Sequence, residues 1–131
     1  LICCVIALLL CITGNAKVPY IPKIINYSVS DYKAGNQNWA VSQGPGGKMY
    51  IGNNRGLLVF DGIHWDLVKL PNNLGVRALY ISKDGRIYVG SFEEFGYFEM
   101  DDENDLIYHS LSSSEMNVYL NNDEFWTINE L

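Results

Sequence analysis

Residues 38–52 (NWAVSQGPGGKMYIG) align without a gap on residues 76–90 (VRALYISKDGRIYVG), at an offset of 38 residues. A chain that repeats itself at this period is built from supersecondary units that cannot bury their apolar faces singly, so each must stack on the next. Within the match Gly47 meets Gly85, Lys48 meets Arg86, Tyr50 meets Tyr88 and Gly52 meets Gly90. Beyond it, NNRG at 53–56 stands against SFEEFG at 91–96. Matching Gly56 to Gly96 leaves the second copy two residues longer at that point, an expected insertion at 91–95. LLVFDG and YFEMDD follow, each an aromatic-rich run closed by an acidic turn. A third copy is expected to begin at Phe125-Trp126-Thr127-Ile128.

Each copy breaks into short runs bounded by turn residues. The first reads as strands at 39–43, 48–52, 56–60 and 63–70, with GPGG (44–47) and Asp61-Gly62 as turns. The second reads as strands at 76–82, 86–90, 95–99 and 106–111, with KDG and DDEND as turns. IYVG and LLVF are apolar almost throughout, which predicts strands packed on both faces. Four short antiparallel strands per repeat of roughly 40 residues is the pattern of a propeller blade. The expected fold class is therefore all-β: a β-propeller fragment with about two four-stranded antiparallel blades and the start of a third. The first blade spans 38–75, the second 76–124, and residues 125–131 open the third. Ile24–Tyr27 stands to strand 39–43 as Trp65–Val68 stands to strand 76–82. Within the N-terminal segment 17–37, residues 24–28 are accordingly expected to form the outer strand that closes the ring. Two blades cannot close one, so the chain reads as part of a longer protein.

The chain opens with LICCVIALLLCITGNAK, in which residues 1–12 are all apolar and Lys17 is the first charge. This is the core of a signal peptide (1–16) with its basic start missing and a cut expected after Ala16. A spanning helix would need roughly 20 apolar residues. Cys11 follows Leu10, which does not suit a lipid anchor. All three cysteines (Cys3, Cys4, Cys11) lie in this segment, so the exported part is expected to be stable without disulfides, as suits a bacterial envelope protein. The net charge of −6 and the lack of a basic stripe argue against nucleic-acid binding by this segment.

Few residues offer chemistry. His64 and His109 are isolated from other metal ligands, and the acidic run 101–105 lacks the glycine a calcium loop needs, so neither metal nor cofactor is expected. Ser112-Ser113-Ser114 sits in no nucleophile elbow, and Glu93 and Glu94, being adjacent, would face opposite ways on a strand. The segment is expected not to be an enzyme. For Trp39, Trp65 and Trp126, packing is favoured over stacking on a sugar ring. What remains is the loop after the second strand of each blade, where polar groups near the central channel could bind a small ligand. Arg55, Glu93 and Glu94 are the expected ligand contacts, with Asn53 and Asn54 beside them.

The run Gly47-Lys48-Met49-Tyr50-Ile51-Gly52-Asn53-Asn54-Arg55-Gly56-Leu57-Leu58-Val59-Phe60-Asp61-Gly62 resembles the two-component-regulator propeller repeat. The second copy fits through Gly85-Arg86-Ile87-Tyr88-Val89-Gly90-Ser91 and then departs at EEFGYFE. NYSVSDYKAGNQNW is similar to the entry of propeller sensors typical of Bacteroidetes. The resemblance implies a periplasmic propeller followed by a β-sandwich domain, a transmembrane helix and a cytoplasmic histidine kinase or helix-turn-helix output. It implies a sensor that binds a carbohydrate-like ligand, touches the membrane only through a downstream helix, and pairs as a homodimer at full length. A glycan-processing enzyme and a protein-interaction platform are the alternatives, since propellers host all three. A downstream kinase or helix-turn-helix domain would favour the sensor, and paired carboxylates in later blades the enzyme.

Overall fold

The computed structural model describes residues 21–113, 119–120 and 122–130. The expected signal segment, its three cysteines and Ser114 lie outside these residues. Two four-stranded antiparallel sheets account for the regular structure. The first holds β1 (Asn38–Gln43), β2 (Met49–Asn53), β3 (Gly56–Phe60) and β4 (Trp65–Val68) in that order. The second holds β5 (Ala78–Ile81), β6 (Ile87–Gly90), β7 (Phe95–Met100) and β8 (Leu106–Ser110). One helical turn, α1 (Val29–Tyr32), precedes them. No helix among the described residues is long and apolar enough to cross a membrane.

The register shows how faithful the repeat is. Ala40 pairs with Gly52 and Gln43 with Met49, while Ala78 pairs with Gly90 and Ile81 with Ile87. The same offset of 38 then persists into the third strand. Tyr50 faces Val59 and Met49 faces Phe60, just as Tyr88 faces Tyr97 and Ile87 faces Phe98. This corrects the expected insertion at 91–95. Gly56 corresponds to Glu94, and Gly96 corresponds to Leu58, so the matching of Gly56 to Gly96 by residue type was misleading. Asn54-Arg55 and Phe92-Glu93 are equal two-residue loops, each closed by a ladder: Asn53 with Gly56, and the Ser91 N–H with the Glu94 carbonyl at 2.8 Å. Gly56 (φ +135°) and Glu93 (φ +51°) supply the positive φ at neighbouring positions of these loops. The extra length lies one turn later. Leu58 faces Leu67 whereas Gly96 faces Ser110, so the acidic turn 101–105 makes the second hairpin five residues longer.

Burial follows the two-residue period of the strands. Tyr50, Leu57 and Val59 from the first sheet and Leu70 and Val76 from the connector meet Ile87, Val89 and Phe98 from the second in one buried cluster. The opposite face of the first sheet carries Ile51 and Leu58, covered by Ala34 and Tyr32 of the N-terminal segment. Both faces of the first sheet are thus occupied, as the apolar run LLVF predicts; Leu57 and Leu58 have no exposed surface. β1 lies against β5, so these first strands are the inner pair from which the sheets fan outward. β4 and β8 are the outer edges, ending at Val68 and Ser110, before the expected 70 and 111.

Residues 24–28 form no strand, contrary to expectation. A strand needs a neighbour for its N–H and C=O groups, and the described residues provide none there. Tyr27 instead sets its ring edge against Phe60 and Trp65, with centroids 5.1 and 5.2 Å away. Asp31 opens α1 by accepting the Ser28 Oγ–H (2.7 Å) and N–H (2.6 Å), which hold its carboxyl below the usual range. Residues 125–128 likewise form no strand, yet their entry is placed by the repeat. The Phe125 N–H donates to the Ser91 carbonyl at 3.0 Å, as the Val76 N–H donates to the Asn53 carbonyl at 2.9 Å. Phe125 therefore occupies in the next repeat the place that Val76 holds in the second.

Candidate functional site

The two-residue loops 54–55 and 92–93 share one end of the sheets with the connectors that lead into each inner strand. The residues expected to contact ligand meet different fates there. Asn53 is fully buried. Its Nδ2 donates to the Gly35 carbonyl (2.7 Å), the Gln37 carbonyl (3.1 Å) and Asn38 Oδ1 (2.6 Å). Its Oδ1 accepts from the Gly35 N–H (2.9 Å) and the Arg55 N–H (3.0 Å). No capacity is left for a ligand, so Asn53 is a clamp that holds the N-terminal segment to the first blade. Ser91 holds the equivalent place in the second blade, donating to the Gly75 carbonyl at 2.5 Å.

Glu94 is also committed. One oxygen accepts the Tyr108 hydroxyl (2.7 Å) and the Ser110 hydroxyl (2.6 Å), and burial with this carboxylate pushes the Tyr108 phenol far up. Glu93 grips the connector: its carboxylate accepts the Asn122 N–H (2.6 Å) and its own N–H reaches the Asp123 carbonyl (2.9 Å). Only Arg55 is exposed, beside Lys69 and Asn73 in a recess of about 300 Å³. Glu93 and Glu94 line a separate one of about 330 Å³ with Asn72 and Phe92. Arg55 and the glutamates do not share a pocket.

Asn54 leads to a different grouping. Its Oδ1 accepts both the Trp39 Nε1–H and an Arg77 Nη1–H, each at 2.6 Å, while its Nδ2 donates to Gln37 Oε1 at 2.7 Å. The Arg77 guanidinium lies 4.5 Å from the centre of the Trp39 ring and 6.0 Å from that of Trp126. The two indoles meet edge to face at 5.6 Å. Glu124 approaches Arg77 Nε at 3.4 Å. Trp39, Arg77 and Trp126 are the same repeat position, one residue after Asn38, Val76 and Phe125. Three successive repeats thus bring two aromatic rings and a cation together at the entrance of the inner strands.

Sequence reading missed Arg77, Gln37 and Glu124. The signal was present in the alignment, which sets Trp39 against Arg77, but a Trp opposite an Arg reads as a mismatch until the blades are stacked. Trp65 behaves as expected of a packing residue, stacked on Phe60 at 4.3 Å. Trp39 and Trp126 pack on each other between repeats while staying 40% and 59% exposed.

Elsewhere Asp61 and Asp101 serve turns. Asp61 accepts the His64 N–H (2.6 Å) and the Ile63 N–H (2.8 Å), and these bonds with the His64 ring lower its carboxyl to about 2. His64 lies in this turn, not on the outer strand. Asp101 closes the acidic turn in the same way, accepting from Glu103 and Asp105. No cluster of three or more His, Cys, Asp or Glu suited to a metal occurs among the described residues.

Stacked four-stranded antiparallel sheets related by a constant sequence offset, with their inner strands side by side, define a β-propeller repeat protein. Residues 69–93 match the family model described as "Two component regulator propeller", which supports the family that the repeat motif resembles. The matched stretch runs from the connector Lys69–Gly75 through β5 and β6 into the 92–93 loop. No curated protein and no solved structure matches the chain.

Proposed function

We propose that these blades belong to an exported sensor that binds an extracytoplasmic ligand, most simply an oligosaccharide, and passes its presence to a transcriptional output. The observation that carries this reading is the match to the two component regulator propeller repeat. The apolar start ending at Ala16 supports export, to the periplasmic side of the inner membrane. The loop end supports binding without turnover. Its carboxylates Glu93 and Glu94 are engaged with backbone and hydroxyl partners, and the exposed guanidinium of Arg55 suits reversible hydrogen bonding. Signalling requires the ligand to favour one arrangement of the propeller over another, since equal affinity shifts nothing.

The test is carried out on the full-length protein in its host. Transcription of neighbouring genes should rise with a defined oligosaccharide and fail to rise when residues 38–124 are deleted in frame. Induction that survives the deletion would remove the sensor role from these blades. Release of shorter sugars by the purified protein would move the reading to a glycan-processing enzyme.

A further inference from the structure

The turn end of the sheets, opposite the 54–55 and 92–93 loops, holds a recess of about 160 Å³ on the seam between the two blades. Its walls follow from strand alternation. Tyr50 lies opposite Val59 and Val59 opposite Asp66, so the three share the face of the first sheet that meets the second blade. Met100 and Leu106, a pair of the second blade, form the other wall, and the acidic turn between them brings Asp105 to it.

Tyr50 sets this recess apart from an ordinary hydrated cleft. The residue is 3% exposed, yet its hydroxyl has no hydrogen-bond partner among the described residues. Burial pushes the phenol up, so it stays protonated and keeps a donor to offer. A hydroxyl taken from water without a partner costs free energy, and the recess is where this one finds room for a partner. Lys48 is half-buried in the same recess. Lys48, Asp66 and Asp105 enter none of the ion pairs among the described residues. Arg86, which holds the place of Lys48 in the second blade, is by contrast gripped by Glu99 at 3.0 Å and Asp84 at 3.5 Å.

We propose that this recess binds a small zwitterion of the α-amino acid class. Lys48 and the Tyr50 hydroxyl donate to its carboxylate, and Asp66 and Asp105 accept from its ammonium. Its side chain lies on Val59, Met100 and Leu106, which suits an aliphatic chain and not a further charge. Charge selects the zwitterion. One lysine and two aspartates make the recess net negative, so a simple carboxylate would be repelled and would leave both aspartates unpaired. A simple amine would leave Lys48 beside a second cation. A zwitterion pairs both signs. The inference does not rest on the sensor reading, which concerns the other end of the sheets.

The experiment is calorimetry on the full-length protein with L-valine, L-leucine and L-methionine, each beside the acid and the amine that lack one of its charges. At least one amino acid should bind, with both of its analogues at least about tenfold weaker. Lys48→Met should weaken that amino acid about tenfold, and Tyr50→Phe at least about threefold. Neither should lower Tm, because neither group has a partner in the protein to lose. Should Tyr50→Phe lower it, Lys48→Met decides. Asp105→Asn should weaken the amino acid and its amine while leaving the acid unchanged or tighter, a signature that a merely structural aspartate would not give. Binding of none of the three amino acids, or undiminished binding in all three variants, would overturn the site. An acid or amine that binds as tightly as its parent would overturn the zwitterion. Oligosaccharide-dependent transcription, which tests the sensor reading, is unaffected by either result.

Discussion

Asn53 uses every hydrogen-bonding valence of its amide without exposing any surface, and a single residue here joins the N-terminal segment to the first blade. Asn53→Ala would strand the donors and acceptors of Gly35, Gln37 and Arg55, with water able to reach only some of them. The expected loss is about 2–3 kcal/mol, read as a lower urea midpoint at unchanged m. Asn53→Asp should be worse, because it retains the acceptor but turns a carboxylate toward the carbonyls of Gly35 and Gln37. An unchanged midpoint in both variants would show that the clamp contributes nothing.

Elements are spaced by what their glycines leave out. A Cβ on Gly52 would stand 2.9 Å from Val76 Cγ1 and 3.0 Å from the Val76 carbonyl oxygen. Gly90 faces the equivalent residue, Phe125, in the same way. At both sites the residue that enters the next repeat presses directly on the second strand of the blade before it. Gly52→Ala should therefore cost about 1–3 kcal/mol, because a backbone carbonyl cannot turn aside as a side-chain tip can. Adding Val76→Ala should recover only part of that loss, since it relieves the methyl and not the carbonyl. Differential scanning calorimetry of the single and double variants measures both effects. Full recovery in the double variant would mean that the side chain alone sets the spacing.

At the scale of the whole molecule, two blades share one buried seam and leave their other surfaces less completely covered. The far face of the second sheet carries Tyr80, Tyr88, Tyr97 and His109 in a row across all four strands, each ring 5.0–6.4 Å from the next. Val41 on β1 is 66% exposed, and Ile107 on β8 is 44% exposed. Such faces and the edges β4 and β8 invite pairing with other chains. Residues 17–131 expressed alone should accordingly elute as a mixture of associated species and melt broadly. A monodisperse monomer with one sharp transition, by light scattering and calorimetry, would overturn this.

Strand number, turn positions and the pairing of the first two strands in each blade were legible in the sequence. They depend on local alternation, on turn residues such as Gly85 and Asp61, and on a repeat strong enough to align without gaps. The third strands were legible in position but not in their correspondence between repeats, because that depends on the length of a hairpin loop rather than on where a glycine happens to recur. Gly96 lies opposite Val89, deep in the sheet, while Gly56 sits at the mouth of its loop. Asn53 and Glu94 read as free polar loop residues, and only the fold shows the carbonyls, amides and hydroxyls that consume them. Trp39, Arg77 and Trp126 are far apart along the chain and dissimilar in type. Stacking one repeat on the next brings them together, since equivalent positions of successive blades become neighbours in space, and no local periodicity records that.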